Sequence, residues 1–376
     1  MSAPVGVGII GAGVISDTYL ENLTSFPDVD VLIVGDLIAE RARAQAAQYR
    51  VPAWGTADDV LAHPDVQVVV NLTIPAVHVE VSSKAIAAGK HVWTEKPLGL
   101  DREGTAELLR QADAAGLRIG SAPDTLLGPG FQSAKRAILD GAIGRPLFAQ
   151  ASFQTQGPDL WHPGPQFLFA RGAGPLLDMG PYYVSALVSL FGPVDRVAAV
   201  GTRPRVQRSI RTGPAAGEVF DVDVPTTVQL IASFEGGEQA QGLFSFDSAL
   251  ERAGVLEVHG TEGSMFLPDP NHFVGEISRV EPLGVLLDDF RPEQERLEVP
   301  LQGAEVGRGL GLLDMVRAIA EGRPHVASGE LGHHVLDVLL SAEESAAGTG
   351  FVTVESTLGA PVPVLPADFD PFARTL

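Results

Sequence analysis

A lysine that follows a short apolar run is the chain's clearest candidate for acid–base chemistry. Lys96 lies in the segment TEKPLG at 94–99, directly after a strand predicted for residues 91–94. A lysine at the carboxyl end of such a strand projects into the ligand crevice of an α/β sheet, and Pro97 stiffens the backbone that aims it. There the amine can take a proton from an alcohol or donate one to a carbonyl, if desolvation lowers its pKa. The alternative is a solvated surface lysine.

A glycine-rich turn near the N-terminus predicts a site for a pyrophosphate. Residues 5–16 read VGVGIIGAGVIS, which is an apolar strand, a Gly-x-Gly turn and the start of an amphipathic segment. Gly11 suits the tight turn, Gly13 lets the backbone approach the anion, and the following helix points its N–H groups at it. Ser16 stands where the full fingerprint has a third glycine, but it is small enough for helix–strand packing. An ordinary tight turn is the alternative.

An acidic residue strengthens this interpretation. A second predicted strand at 29–35 ends at Asp36, about twenty residues beyond the turn, where dinucleotide folds place a carboxylate that accepts hydrogen bonds from the adenosine ribose hydroxyls. The alternative is a strand-end acid that caps the next helix. Turn and acid together favour dinucleotide binding.

A parallel sheet would position these residues. Strands and helices alternate over the first third of the chain. The later predicted strands are 66–72, 91–94 and 117–120, and the predicted helices are 37–49, 76–88 and 101–116. Strand–helix repeats at this spacing need right-handed crossovers and therefore predict a doubly wound sheet, with its ligand crevice at the carboxyl ends of the strands. We assign residues 1–123 to this nucleotide-binding domain.

The pattern changes after residue 123. Several strands follow one another without intervening helices, at 194–201, 224–234, 239–246, 255–259 and 264–267. Such a run indicates an antiparallel or mixed sheet, so residues 124–376 are predicted to form an α+β domain. Helices are predicted at 131–139, at 177–191 with Pro181 restricting its start, and at 309–320 and 329–347, where they return to the first domain; 202–220 and 268–305 are predicted loops. We expect the chemistry where the two domains meet.

Composition excludes several classes of protein. The 376 residues suffice for two domains with proper cores, and 45% hydrophobic with 19% charged residues indicates a globular rather than a disordered chain. A formal charge of -21 argues against a nucleic-acid or anionic-membrane surface. The absence of cysteine excludes disulfides, thiolate metal sites and cysteine nucleophiles. With no export signal or membrane-spanning run in the sequence, we expect a cytoplasmic enzyme.

These motifs, taken together, carry a resemblance to a known family. The Gly-x-Gly turn, Asp36, the Glu-Lys-Pro triplet at 95–97 and the segment GAGPLLDMGPYY at 172–183 resemble the Gfo/Idh/MocA family of glucose–fructose oxidoreductase and inositol dehydrogenase relatives. The resemblance covers essentially the whole chain. It implies an N-terminal Rossmann domain, a C-terminal α+β domain with a large open, mostly antiparallel sheet, and a nicotinamide dinucleotide between them.

The resemblance also implies roles for individual residues. Lys96 would transfer the proton, and Asp178 would assist it on the substrate hydroxyl. Many members have histidine four residues after that aspartate, whereas this chain has Tyr182. Some members, dihydrodiol dehydrogenase among them, resemble it in using tyrosine, which either relays a proton or only lines the pocket. An N-cap for the following helix is a second possible role for Asp178.

Further candidates lie in loops. The cofactor candidates are Gly11, Gly13, Val14, Ile15, Asp36, Thr73, Pro75, His78, Glu95 and Lys96, of which His78 is equally well placed to start a helix. Asp124, Thr125, Trp161 and His162 are the substrate candidates, since Trp161 offers a face for a sugar ring and His162 and Asp124 offer hydrogen bonds. The alternative for these loops is ordinary turn structure. His333 and His334 are adjacent on a predicted helix and make a poor metal pair, so no metal is predicted.

The sequence therefore predicts a dehydrogenase that transfers hydride between a nicotinamide and a hydroxyl of a sugar, polyol or cyclitol. We expect NAD rather than NADP, because Asp36 repels a 2′-phosphate and no arginine directly follows it; Arg41, one turn further, is the residue that could reverse this preference. The family resemblance leaves two alternatives, an NAD-dependent glycosidase with transient oxidation and a non-catalytic dinucleotide sensor. The predicted partners are a small-molecule substrate and a second copy of the chain, in a homodimer or homotetramer built through the C-terminal sheet.

Overall fold

The computed structural model describes residues 3–284 and 294–376. The strands are β1 (Val5–Ile10), β2 (Val29–Gly35), β3 (Ala53–Gly55), β4 (Val68–Asn71), β5 (His91–Thr94), β6 (Ile119–Ser121), β7 (Pro146–Gln154), β8 (Val194–Thr202), β9 (Gln207–Ser209), β10 (Val219–Asp221), β11 (Thr227–Phe234), β12 (Gln239–Ser245), β13 (Arg252–Gly260), β14 (Ser264–Leu267), β15 (Ser278–Val280), β16 (Leu297–Glu298) and β17 (Val352–Thr353). The α-helices are α1 (Val14–Leu23), α2 (Ala39–Tyr49), α3 (Ala57–Ala62), α4 (His78–Ala87), α5 (Arg102–Ala114), α6 (Pro129–Leu139), α7 (Gly174–Phe191), α8 (Leu310–Glu321) and α9 (Gly329–Ala347).

The chain divides into two compact units. Unit 1 comprises Met1–Pro129, Gly303–Leu336 and Val362–Leu376, and unit 2 comprises Gly130–Gln302 and Asp337–Pro361. Unit 1 thus contains the nucleotide-binding motifs of the first third of the chain together with two later segments, one of which includes α8. Among the described residues, no helix combines the length and the apolar character needed to cross a bilayer.

Unit 1 is built on a six-stranded parallel sheet. Its strand order is β3-β2-β1-β4-β5-β6, the order of a Rossmann fold, and every neighbouring pair is parallel. The central strands β1 and β4 are apolar runs whose residues are almost all buried, as expected of a sheet covered on both faces. The predicted doubly wound Rossmann domain is confirmed, and it brings the carboxyl ends of β1, β2, β4 and β5 to one edge.

Unit 2 is built on a nine-stranded sheet, in the order β16-β15-β14-β13-β7-β12-β11-β8-β17. Of the strand pairs in the described part of this sheet, β7 and β12 pair in parallel and the others are antiparallel, which confirms the predicted large, mostly antiparallel sheet. The α7 helix packs against β7, β11 and β12. Tyr183 on this helix makes edge-to-face contacts with Phe153 and Phe244, so aromatic rings fill the space between helix and sheet.

Three local predictions were wrong. The region predicted as a loop at 202–220 contains the paired strands β9 and β10, and that at 268–305 contains β15 and β16. These strands have only two or three residues each, so their glycine- and proline-rich surroundings hide them. The α7 helix begins at Gly174 rather than at residue 177, with Pro175 in its first turn and Pro181 inside it, because proline fits a first helical turn.

Candidate functional site

The turn between β1 and α1 leaves space for an anion. Gly11 has a φ of 108°, and a Cβ there would lie 2.6 Å from the Leu72 carbonyl oxygen, so the turn requires glycine. Gly13 is the N-cap residue of α1, and no atom lies within 4 Å of the position that its Cβ would take. The open space before the helix N-terminus therefore fits a pyrophosphate held by backbone N–H groups, among them those of Val14 and Ile15.

Asp36 is fixed at the end of β2 by two backbone N–H groups. Its Oδ2 accepts a hydrogen bond from the Ala12 N–H at 2.7 Å, and its Oδ1 accepts one from the Ile38 N–H at 2.7 Å. The first bond ties the carboxylate to the glycine turn itself. Asp36 and the turn are thus held at a fixed separation. A ribose and the adjoining pyrophosphate of one dinucleotide would need such a fixed pair of binding groups.

Exposed apolar side chains surround this arrangement, and the sequence analysis named only Val14 among them as a site residue. Leu37 and Ile38 follow β2, Ile74 follows β4, and Val14 follows the turn after β1; all four are exposed. Large apolar side chains that cluster at one edge of a sheet commonly mark a binding surface. Their position in the sequence, just after the predicted strand ends, could have identified them as site residues. They offer an apolar rim for an adenine ring.

Lys96 is half-buried, two residues beyond the end of β5. Glu95, beside it, accepts a hydrogen bond from the Lys96 backbone N–H through Oε2 at 3.1 Å. The other carboxylate oxygen, Oε1, accepts a hydrogen bond from the Tyr19 hydroxyl at 2.8 Å, and that hydroxyl accepts one from Trp93 Nε1 at 3.1 Å. Burial raises the pKa of Tyr19 well above its usual value, with a further rise from Glu95, so the hydroxyl stays a neutral donor.

His78 supports the same segment from the other side. Its ring is almost fully buried, with Nδ1 2.7 Å from the Pro97 carbonyl oxygen and Nε2 2.9 Å from the Thr73 carbonyl oxygen. A neutral imidazole can donate to only one of these two acceptors. His78 begins α4, directly after the short 3-10 turn Pro75–Val77. It thus links the loop after β4 to the residue that follows Lys96.

Asp124 and Thr125 lie in the interior of unit 1. Asp124 Oδ2 accepts hydrogen bonds from the N–H groups of Gly309 at 2.7 Å and Gly311 at 3.4 Å, at the start of α8. Burial raises the pKa of Asp124 to about 6, against an opposing effect of Arg308, whose Nη1 lies 3.7 Å from Oδ1. The same Nη1 lies 3.7 Å from Glu95 Oε1. The observed partner of Asp124 is therefore a helix terminus, and a substrate contact for Asp124 and Thr125 stays a prediction.

Asp178 and Tyr182 lie on one face of α7 in unit 2, because residues four apart on a helix are neighbours. Asp178 is half-buried, whereas the rest of the helix from Gly174 to Ser189 is buried. As the fifth residue of α7, Asp178 does not serve as its N-cap, so that alternative is excluded. Asp178 is thus the one partly exposed residue in this stretch of the helix.

Trp161 and His162 lie in an aromatic loop of unit 2. The rings of Trp161 and His162 are 5.6 Å apart, and His162 is 5.4 Å from Phe167, both in edge-to-face geometry. Trp161 and Phe167 are 68% and 60% exposed, which is high for such large apolar side chains. Phe167 was missed by the sequence analysis; the loop offers aromatic faces on which a sugar ring can stack.

The structure brings together the cofactor candidates of unit 1 along the carboxyl edge of its sheet. Lys96 and Glu95 belong to unit 1, whereas Asp178, Tyr182, Trp161 and His162 belong to unit 2. A shared site between the two sets stays a prediction. Among the described residues, no group of three or more histidine and carboxylate side chains is arranged to hold a metal ion.

Comparison with known proteins adds two family matches. Residues 5–122 match the model of the oxidoreductase family with an NAD-binding Rossmann fold, and residues 131–266 match the GFO/IDH/MocA C-terminal domain. The two matches follow one another along the chain and together cover most of it.

Individual relatives agree with these matches. A trans-1,2-dihydrobenzene-1,2-diol dehydrogenase of Bos taurus is 27% identical over 268 residues, covering 70% of this chain and 74% of that enzyme. An uncharacterized oxidoreductase of Rhizobium meliloti is 29% identical over 272 residues, 71% of this chain and 75% of the relative. Levoglucosan dehydrogenase in complex with NADH and L-sorbose shares the fold, with a TM-score of 0.79, 22% identity, and coverage of 94% and 99% of the two chains.

Proposed function

The chain belongs to the Gfo/Idh/MocA family of oxidoreductases, with an NAD-binding Rossmann domain, and from this we propose that it is a dehydrogenase acting on a hydroxyl of a sugar, polyol or cyclitol. The observation that carries the proposal is the support of Lys96 at the carboxyl end of β5, on the same sheet edge as the glycine turn. Lys96 is half-buried, and its backbone N–H is held by the Glu95 carboxylate. A side-chain amine on a backbone fixed in this way is suited to proton transfer beside a dinucleotide.

The curated relatives support the substrate class. The bovine enzyme is named for a vicinal diol on a six-membered ring. Vicinal hydroxyls on a ring are also the feature shared by sugars and cyclitols. The exposed aromatic loop at Trp161 supports the same class, because flat apolar ring faces bind the faces of sugar rings while His162 offers a hydrogen bond.

The residues of the chain divide the proposed reaction among them. When bound, a nicotinamide supplies the acceptor for the hydride that leaves the carbinol carbon. Lys96 Nζ, in its neutral form, takes the hydroxyl proton, so that the carbinol becomes a carbonyl. Asp178 accepts a hydrogen bond from the substrate and orients it, and Tyr182 relays a proton or lines the pocket. Glu95 and His78 hold the backbone on either side of Lys96.

We expect NAD to be preferred to NADP. The Asp36 carboxylate, fixed by the N–H groups of Ala12 and Ile38, stands where a 2′-phosphate would add a second negative charge. The neighbours of Asp36 along the chain are apolar, since Leu37 and Ile38 follow it. The exposed Arg41 is the closest arginine in sequence that could hold such a phosphate.

A panel of sugars, polyols and cyclitols with NAD and NADP tests the proposal, with reduced nicotinamide measured by absorbance. We expect at least one substrate to give net reduction, with a higher kcat/KM for NAD. Release of a sugar from a glycoside without net reduction would indicate the glycosidase alternative. Tight NAD binding without turnover on the whole panel would contradict the proposal and favour a sensor.

A further inference from the structure

Unit 2 contains a polar cavity to which the proposed reaction assigns no role. Its volume is about 420 Å³, and it is bordered by the short turn Pro158–Leu160, by β9 and by the residues after β12. Its polar lining includes Gln156, Arg205, Gln207, Arg208, Ser209 and Arg211. A volume of this size is within the range of small-molecule sites.

The segment that lines the cavity has an unusual charge for this chain. Residues 203–211 read RPRVQRSIR, with four arginines and no acidic residue, in a protein that has 47 acidic and 26 basic side chains. Arg205, Gln207, Ser209 and Arg211 alternate along β9 and its flanks, and alternate residues of an extended strand share a face. Two cations and two neutral hydrogen-bonding groups are therefore presented together.

Arg208 is the buried arginine of the segment, and its charge is already compensated. Its Nη1 donates to Asp159 Oδ1 at 2.7 Å, and its Nη2 donates to Asp247 Oδ1 at 2.6 Å. Its guanidinium also lies 5.0 Å from the centre of the Phe169 ring. This arrangement fixes β9 to the body of unit 2, so the outer arginines project from a rigid support.

The charges of Arg205 and Arg211 are not compensated by a carboxylate in this way. Both are exposed, and within the described residues neither guanidinium forms an ion pair. Two carboxylates beside the cavity keep their negative charge, and each accepts a hydrogen bond from a lining residue: Asp221 from the Gln207 amide at 2.9 Å, and Glu251 from the Gln156 backbone N–H at 3.2 Å. Within the lining itself, three arginines stand against two aspartates, so the lining carries one excess positive charge in a strongly acidic protein.

We propose that this cavity binds the oxyanion group, phosphate or carboxylate, of a small molecule. Each guanidinium presents a planar fork of donors that matches the paired oxygens of these groups. Gln207 and Ser209 supply neutral donors and acceptors for the remaining oxygens or for hydroxyl groups. The inference concerns unit 2 alone and stands whether or not the chain is a sugar dehydrogenase.

Calorimetric titration of inorganic phosphate into the full chain tests the proposal. The titration is done at constant ionic strength with saturating NAD, so that the glycine turn is not available to phosphate. We expect saturable binding, and we expect the double variant Arg205→Gln/Arg211→Gln to bind at least about tenfold more weakly, because charge-assisted hydrogen bonds are lost. Arg145→Gln, which removes an exposed arginine elsewhere in unit 2, is the matched control and should bind as the parent does.

The outcomes separate the sources of the anion. Tighter binding of glucose 6-phosphate than of gluconate assigns the site to phosphate esters, and the reverse order assigns it to carboxylates; glucose is the neutral control. Unchanged unfolding temperatures without phosphate show that the variants fold, and the two single variants serve if the double variant does not. Absence of saturable binding by the parent, or equal binding by the folded variants, overturns the proposal.

Discussion

Lys96 is the residue on which the proposed chemistry depends. We expect Lys96→Met to lower kcat by about 10²–10⁴-fold, the usual contribution of a general acid or base, since methionine keeps the apolar stem and removes the amine. NAD affinity should persist, because Asp36 and the glycine turn are unchanged. Steady-state kcat and a fluorescence titration with NAD measure the two effects. Lys84→Met, on the exposed side of α4, is the control; turnover of the Lys96 variant within about threefold of the parent would remove Lys96 from the mechanism.

Tyr19 should act on Lys96 through Glu95. Tyr19→Phe removes the hydroxyl that donates to Glu95 Oε1 at 2.8 Å and leaves the ring in place. We expect kcat to fall by about tenfold, with KM for NAD nearly unchanged, because a small misplacement of a reacting group is costly. Tyr49→Phe is a matched control, since the Tyr49 hydroxyl also donates to a carboxylate of unit 1, Asp17, at 2.9 Å. Equal effects of the two variants on kcat would show that Tyr19 contributes only to stability.

The contribution of Asp124 to the start of α8 should appear in the pH dependence of stability. Burial raises the pKa of Asp124 to about 6, so the folded state binds this proton more tightly than the unfolded state does, and protonation of Asp124 stabilises the fold. The contribution of this proton to the free energy of unfolding is complete below the unfolded-state pKa of about 4. It is lost as the pH rises through about 6. In the variant Asp124→Asn, the new side-chain amide stays neutral and its oxygen can still accept from the Gly309 N–H, so the variant should lack this loss.

Urea unfolding of parent and Asp124→Asn between pH 4 and pH 7 measures the difference. We expect the variant to gain stability relative to the parent as the pH rises, by up to about 3 kcal/mol, since each pKa unit corresponds to about 1.4 kcal/mol. A difference that is constant across this range would show that Asp124 has an ordinary pKa.

The sequence predicted the elements of unit 1 better than the partners of its polar residues. Apolar β-branched runs and the Gly-x-Gly turn are local signals. Asp101, the first residue of the helix predicted at 101–116, caps α5 through a 2.7 Å bond from the Gly104 N–H. The environment of Asp124 was not predictable, because Gly309 lies 185 residues away along the chain. The same holds for Arg308 beside Glu95. Contacts at such separations leave no spacing pattern in a single sequence.

At the scale of the whole molecule, the open face of the unit 2 sheet is the surface suited to a second copy of the chain. A depression of about 750 Å³ on this face is lined mainly by residues of β7, β8, β11 and β12. Val200 and Ile231 are exposed there, and Arg252 is the one charged residue of the described lining. Two copies of a protein with a formal charge of -21 repel each other unless the surfaces in contact carry little charge. A nearly uncharged face of apolar side chains and glutamines satisfies this condition.

We therefore expect the protein to be a dimer or larger at micromolar concentration, and Ile231→Glu to shift it toward the monomer. The new carboxylate would lie on β11, an interior strand of the sheet, and, in a symmetric interface, would be introduced by each copy, so that it is both desolvated and repelled. Analytical ultracentrifugation measures the state, and retained NAD binding shows that the variant is folded. Val219→Glu places the same charge on an exposed apolar position of β10 and should leave the oligomer intact. A monomeric parent would contradict the expectation that the protein assembles. An oligomer that Ile231→Glu leaves unchanged would assign the assembly to a different surface, because a buried glutamate on this face would not be tolerated.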